Sequence, residues 1–190
     1  SEQVHSIGIF VGGVDAEGLS PQIALALRED AGFEGEIAVA TTSANPGLAE
    51  LQSQARQYRF SVTVDRADLR DFFAAHDLQI GASGGATWER CCMAVPTLAI
   101  AVADNQRHVL EPLARIGAVA TVQGAPDPGS IAAGARDLIE DPDGRRALAM
   151  RSGELVHGLG ATRAGLGILA GTASVRGAAK LTDRCVRMPH

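Results

Sequence analysis

The sequence predicts an α/β fold, a doubly wound, mostly parallel Rossmann-like sheet, and two observations carry that prediction. Short β-type apolar runs alternate with helical patterns almost from end to end, and parallel strands need helical crossovers to join them. Two glycine-rich segments, Gly12-Gly13 and Gly81 to Gly85, both follow the ends of predicted strands, where ligands sit in open α/β sheets.

Each element has its own signal. Ile7-Gly8-Ile9-Phe10-Val11 reads as a buried strand, and Gly12-Gly13-Val14-Asp15 as the loop after it. Ser20-Pro21 supplies an N-cap and a first-turn proline for a helix through about Arg28. Ile37 to Ala40 is the next strand and Leu48 to Gln57 the next helix. Phe60 to Val64 follows as a strand, with Leu69, Phe72 and Phe73 on one face of a short helix. Leu78 to Gly81 is a strand that ends in the second glycine segment. Val95 to Val102 is a strand, Arg107 to Ile116 a helix, and Ala118 to Val122 a strand. Ser130 to Glu140 and Arg145 to His157 complete the helical set. The periodicity fades after Leu169. This gives a Rossmann-like domain over residues 1–170, followed by a tail or the start of a further segment over 171–190.

Composition narrows the function classes. At 190 residues, 46% hydrophobic and 21% charged, the chain has room for one domain with a substantial core or two small ones. A net charge of -5 implies no basic face, which argues against a nucleic-acid partner. A phosphate ligand still fits, because a loop of backbone N–H groups binds one without Lys or Arg. The apolar runs, of which Pro96 to Ala103 is the clearest, fall short of the roughly 18 residues a membrane span needs. No signal peptide is visible. Cys91, Cys92 and Cys185 are odd in number, and two are adjacent on a predicted helix. They read as packing residues in a reducing cytoplasm rather than a disulfide framework. His5, His76, His157 and His190 lack metal-ligand spacing, His108 reads as surface, and no cofactor or metal is expected. Asp65, Asp68, Asp71 and Asp77 read as helix caps and a solvated face.

The run Gly81-Ala82-Ser83-Gly84-Gly85-Ala86-Thr87-Trp88-Glu89-Arg90-Cys91-Cys92 joins a strand end to a helix start. It has two readings. One is a plain strand-to-helix turn. The other is an anion cradle, in which Gly84 and Gly85 let the backbone approach a ligand and Ser83 and Thr87 add hydroxyl donors. In the second reading Glu89, in the first helical turn, accepts hydrogen bonds from ligand hydroxyls. Trp88 is expected to bury against the sheet. Asp104-Asn105-Gln106 either caps the next helix or faces the same crevice and binds sugar hydroxyls or phosphate.

Ile80 to Cys92, then Val95-Pro96 and Asp104-Asn105-Gln106, resembles the PseG-type UDP-sugar hydrolases of pseudaminic acid biosynthesis, which are related to GT-B glycosyltransferases. The resemblance runs from about Ile7 to Leu169. It includes Gly12-Gly13-Val14-Asp15, Asn45-Pro46, Asp77-Leu78 and the closing segment Gly158-Leu159-Gly160-Ala161-Thr162-Arg163. It implies the C-terminal half of a GT-B architecture, whose ligand is UDP or a UDP-sugar. Glu89 would hold the ribose, Ser83, Gly84, Gly85, Ala86 and Thr87 the diphosphate, and Asn105 and Gln106 the phosphate or sugar. Gly12, Gly13 and Asp15 would form the first glycine loop. The family's loop usually reads Gly-Gly-Ser-Thr where this chain has Ser83-Gly84-Gly85-Ala86. The matching positions begin at the second domain's first strand, so the catalytic histidine is expected on an N-terminal domain that this chain lacks.

Overall fold

In the computed structural model of the chain, six strands form one sheet in the order β3-β2-β1-β4-β5-β6. All neighbouring strands are parallel. The described residues are 2–156, 158–160, 164 and 166. The strands are β1 (Ser6–Phe10), β2 (Glu36–Thr41), β3 (Ser61–Val64), β4 (Leu78–Ala82), β5 (Thr97–Ile100) and β6 (Ala120–Thr121). The helices are α1 (Leu19–Glu29), α2 (Leu48–Tyr58), α3 (Arg70–Ala74), α4 (Gly85–Cys92), α5 (Asp104–Arg115), α6 (Pro128–Glu140) and α7 (Pro142–Leu155). The doubly wound α/β fold read from the sequence is the fold observed. The expected boundary near residue 170, the tail over 171–190 and residues 161–163 of the closing segment lie outside the described residues.

The two faces of the sheet are unequal, and the alternation along each strand makes them so. Ile7, Ile9, Ile37, Val39, Leu78, Ile80, Leu98 and Ile100 are all nearly or fully buried in the main core, packed with Ile23, Leu27, Leu51 and Ile131. Their helices α1, α2 and α6 pack side by side, α1 touching both of the others. The intervening positions are mostly small. Gly8 pairs with Ala38 and Gln79, and Gly81 pairs with Phe10 and Ala99. Here α3 and α4 approach closely, and Phe72, Phe73 and Gln79 fill the space. A Cβ on Gly8 would lie 2.5 Å from the Gln79 side-chain nitrogen. The Gln79 amide donates to the carbonyls of Phe72 and Phe73, tying β4 to α3.

Several elements begin a residue or two away from the sequence reading, for local reasons. The N-cap of α1 is Gly18 rather than Ser20, and the Asp15 carboxylate, three residues earlier, accepts from the N–H groups of Leu19 (2.8 Å) and Ser20 (3.0 Å). Helix α6 starts at Pro128 because Asp127 and Ser130 form a reciprocal capping box. Trp88, expected to be buried, is 44% exposed, since Thr87, Arg90 and Cys91 occupy the sheet-facing positions of α4. Of the vicinal cysteines, Cys91 packs inside and Cys92 is exposed.

Asp77 is neither a helix cap nor a solvated charge. Its Oδ2 accepts from the backbone N–H groups of His5 (2.9 Å) and Ser6 (3.1 Å) and from the Ser6 hydroxyl (3.2 Å), fastening β1 to the start of β4. Partial burial opposes ionisation of Asp77, but these donors outweigh it and hold the carboxyl below its usual range. A depressed carboxylate stabilises the fold above its unfolded value of about 3.9 and loses that contribution as pH falls through the lower folded value. Asp77→Ala is therefore expected to cost about 1–3 kcal/mol in urea unfolding at neutral pH. The gap from the parent chain should close as the pH is lowered below about 4.

Candidate functional site

In the order β3-β2-β1-β4-β5-β6 the chain winds outward in opposite directions from β1 and β4. The crevice at the carboxyl ends of these two strands is the topological switch point, where doubly wound sheets bind ligands. Both glycine segments leave the sheet there, after β1 and after β4.

The loop after β1 is held from beneath. The Gly13 carbonyl accepts from the Thr42 N–H (3.1 Å), the Thr41 hydroxyl (3.1 Å) and the Thr42 hydroxyl (2.8 Å). A Cβ on Gly13 would sit 2.7 Å from the Thr42 methyl, and Gly12 has a φ of 118°, so both positions call for glycine. Asp15 adopts a φ of 40° and turns its carboxylate into the N-terminus of α1. That helix end is thus met by the chain's own anion. Gly12, Gly13, Asp15, Leu19 and Val102 line a cleft of about 410 Å³.

The loop after β4 is built differently. Helix α4 begins at Gly85, its N-cap is Gly84, and no side chain caps it. Glu89 is the fifth residue of the helix, in the second turn rather than the first, and is exposed. Gly85 is exposed, Ala86 is half-buried, and a Cβ on Gly85 would meet nothing within 4 Å. Ser83 is 2% exposed; its N–H donates to the Ile100 carbonyl (2.7 Å), while its buried hydroxyl has no partner. Thr87 lies beneath the loop, fully buried, and its hydroxyl donates to the Ala82 carbonyl (3.2 Å). The polar triplet is the first turn of α5. Asp104 and Asn105 are exposed, and the Gln106 carbonyl oxygen accepts from the Val102 N–H (3.1 Å). The Gln106 amide nitrogen lies 4.0 Å from where a Cβ on Gly84 would stand. The fold thus brings Gln106 to the second glycine loop.

The residue that the sequence pattern does not assign to the site is Arg90. It projects from α4 toward the underside of the loop and is 0% exposed. Its Nη2 donates to the Ala82 carbonyl (2.9 Å) and the Thr87 hydroxyl (3.1 Å), and its guanidinium lies 5.6 Å from the centre of the Phe73 ring. Nε and Nη1 have no partner. Burial lowers its pKa to about 10, against the opposing influence of Cys91 and Glu89. One signal was available: Arg90 falls three residues after Thr87 and beside Cys91, on the inward stripe of α4.

A cavity of about 530 Å³ lies at the opposite end of the strands, lined by His76, Asp77, Pro142 and Arg145. Two of its charged groups are already engaged, Asp77 by His5 and Ser6 and Arg145 by the carbonyls of Leu138, Ile139 and Glu2. The switch-point crevice, where an open helix N-terminus meets an unpartnered hydroxyl, is the better candidate.

This is the Rossmann-like fold of GT-B C-terminal domains. Among solved structures the chain is similar to Acinetobacter baumannii MurG (TM-score 0.64, 16% identity), with 82% of this chain matched to 49% of that one. It is similar to Anabaena HepE in complex with UDP and glucose (TM-score 0.63, 18% identity), with 80% of this chain on 43% of that one. It also matches the C-terminal CMP-Kdo binding domain of WaaA from Acinetobacter baumannii (TM-score 0.62, 12% identity), with 79% of this chain on 88% of that domain. The chain spans about half the length of MurG. No family model and no curated protein matches it.

Close approach at β4 gives a direct test of this geometry. A Cβ on Gly81 would lie 2.3 Å from the Phe10 carbonyl oxygen and 2.6 Å from Arg90 Nη1. Gly81→Ala is expected to destabilise the chain by about 1–3 kcal/mol, read as a lowered thermal midpoint. Gly85→Ala, with open space at its Cβ, should leave the midpoint unchanged or slightly raised.

Proposed function

We propose that this chain is a nucleotide-sugar-binding domain that holds the diphosphate of UDP or a UDP-sugar over the N-terminus of α4. The carrying observation is the pairing of two glycine loops at the switch point, one of which opens an uncapped helix with the unpartnered Ser83 hydroxyl beside it. Free N–H groups and the helix partial charge favour an anion at such a site. The fold is shared with a protein seen in complex with UDP and glucose, which supports the reading.

In this reading Gly84, Gly85 and Ala86 offer backbone N–H groups to the diphosphate, and Ser83 adds a hydroxyl donor. Thr87 shapes the loop from below. Glu89, exposed and free of any ion pair among the described residues, accepts hydrogen bonds from the ribose hydroxyls. Gln106 and Asn105 lie toward the phosphate or sugar, and the Gly12-Gly13 loop with Asp15 walls the other side. As the anomeric C–O bond breaks, negative charge develops on the departing phosphate, and donors fixed at the loop stabilise it.

The finer reading is hydrolytic. Water attacks the anomeric carbon, and UDP and a free diacetamido-trideoxy sugar leave, with the activating base on an N-terminal domain. The run Trp88-Glu89-Arg90-Cys91-Cys92 supports this version. The donor-binding half of a GT-B glycosyltransferase is the second reading, favoured by the fold alone.

Titration calorimetry with UDP tests the proposal. The parent chain should bind UDP, with Glu89→Ala weaker by about 1 kcal/mol. Gly85→Asp places a carboxylate where the phosphate would sit, with room for it. It should weaken UDP by roughly tenfold or more through like-charge repulsion, while the thermal midpoint holds because an acidic first helical residue suits the helix. Absence of binding by the parent chain at millimolar UDP would sink the proposal.

A further inference from the structure

Arg90 is a cation held where a cation is costly. Its side chain is 0% exposed, it forms no ion pair among the described residues, and its Nε and Nη1 have no hydrogen-bond partner. Burying an unpaired charge opposes folding, and an apolar side chain of similar volume at such a position is often neutral or stabilising. The contact with Phe73 rewards the guanidinium face but leaves Nε and Nη1 unused. The packing gives no reason for a charge at this point.

The surroundings supply one. Arg90 Nη2 holds the Ala82 carbonyl and the Thr87 hydroxyl, the residues on either side of the Ser83-Gly84-Gly85 turn. Ser83, itself 2% exposed, carries an unpartnered hydroxyl within that turn. An uncapped helix N-terminus, a buried hydroxyl without a partner and a buried cation without an ion pair therefore fall within the one stretch from Ser83 to Arg90. Fixed charge in a low-dielectric layer acts across a short gap far more strongly than the same charge in water.

We propose that Arg90 is a positioning residue for phosphate. Its buried charge is the fixed counter-charge for a pyrophosphate group seated on the Ser83 to Gly85 loop, and its Nη2 bonds keep the loop N–H groups aimed at that group. The proposal rests on the phosphate seat of the preceding reading and adds the residue that charges it. Arg90 does not touch the ligand; it works through the loop above it. The chain thereby gives up some stability to keep the seat positive when empty.

The full-length chain is titrated with inorganic pyrophosphate, UDP and uridine at low salt, as the parent and as Arg90→Gln, Arg90→Met and Arg90→Lys. Arg90→Gln removes the charge while keeping a polar amide near the position of Nε, so it carries the comparison if Arg90→Met does not fold. Loss of the charge should weaken pyrophosphate and UDP by roughly tenfold or more. Uridine affinity should not change, Arg90→Lys should recover most of the loss, and the uncharged variants should melt no lower than the parent. Unchanged pyrophosphate and UDP affinity in the uncharged variants would overturn the role of Arg90 and leave the phosphate seat standing. Equal weakening of uridine, with a lowered melting point, would overturn it in favour of a purely structural role. Arg90-dependent pyrophosphate binding with no added affinity from the uridine moiety would support Arg90 and defeat the nucleotide reading. A parent chain that binds none of the three would overturn both.

Discussion

The structure depends on the difference between the two faces of its sheet. On one face branched side chains fill the space under α1, α2 and α6. On the other, Gly8, Ala38, Gly81 and Ala99 leave a shallow floor, and α3 and α4 come down onto it. The missing side chain at Gly81 leaves room for both the Phe10 carbonyl and the Arg90 guanidinium. A larger side chain there would lift α4 away from β4 and carry its N-terminus off the crevice. The position of the candidate site is therefore a packing consequence, set one residue before the end of β4 and expressed just beyond it.

The two helix ends nearest the switch point show how the same local physics can be closed or left open. Asp15 bends back through a left-handed turn and satisfies the first N–H groups of α1. At α4 the corresponding place is taken by glycines, and the side chains that could have served are turned inward. Thr87 donates to Ala82, and Ser83 is buried. Around them the backbone is braced: three donors hold Gly13, Gln106 holds Val102, and Ile100 receives the Ser83 N–H. The open helix end sits among anchored neighbours, which lowers the ordering cost that a ligand would otherwise meet.

Much of this was legible in the sequence. Alternating strand and helix patterns with glycines at strand ends are enough to place the sheet and the crevice, because local periodicity and backbone permissiveness both act at short range. The side-chain partners were not legible, since they depend on contacts across the fold. Asp77 reads as one acid in an acidic stretch until the fold sets it against His5 and Ser6, 72 and 71 residues away. Ser20 before a proline looks like a cap, yet Asp15 accepts from the N–H groups of Leu19 and Ser20 itself. Trp88 and Arg90 exchange the places their polarity suggests, because helix phase rather than polarity decides which residue faces the sheet. Gly81, small enough to leave room, was a further hint that α4 could carry something large inward.

That exchange has a practical side. Trp88 is the only tryptophan in the chain and lies, part-exposed, on the helix whose first turn is the glycine loop. The chain's indole emission thus comes from a single known position, two residues from the buried guanidinium and three from the first residue of that helix. No label need be engineered to watch this corner of the molecule by fluorescence.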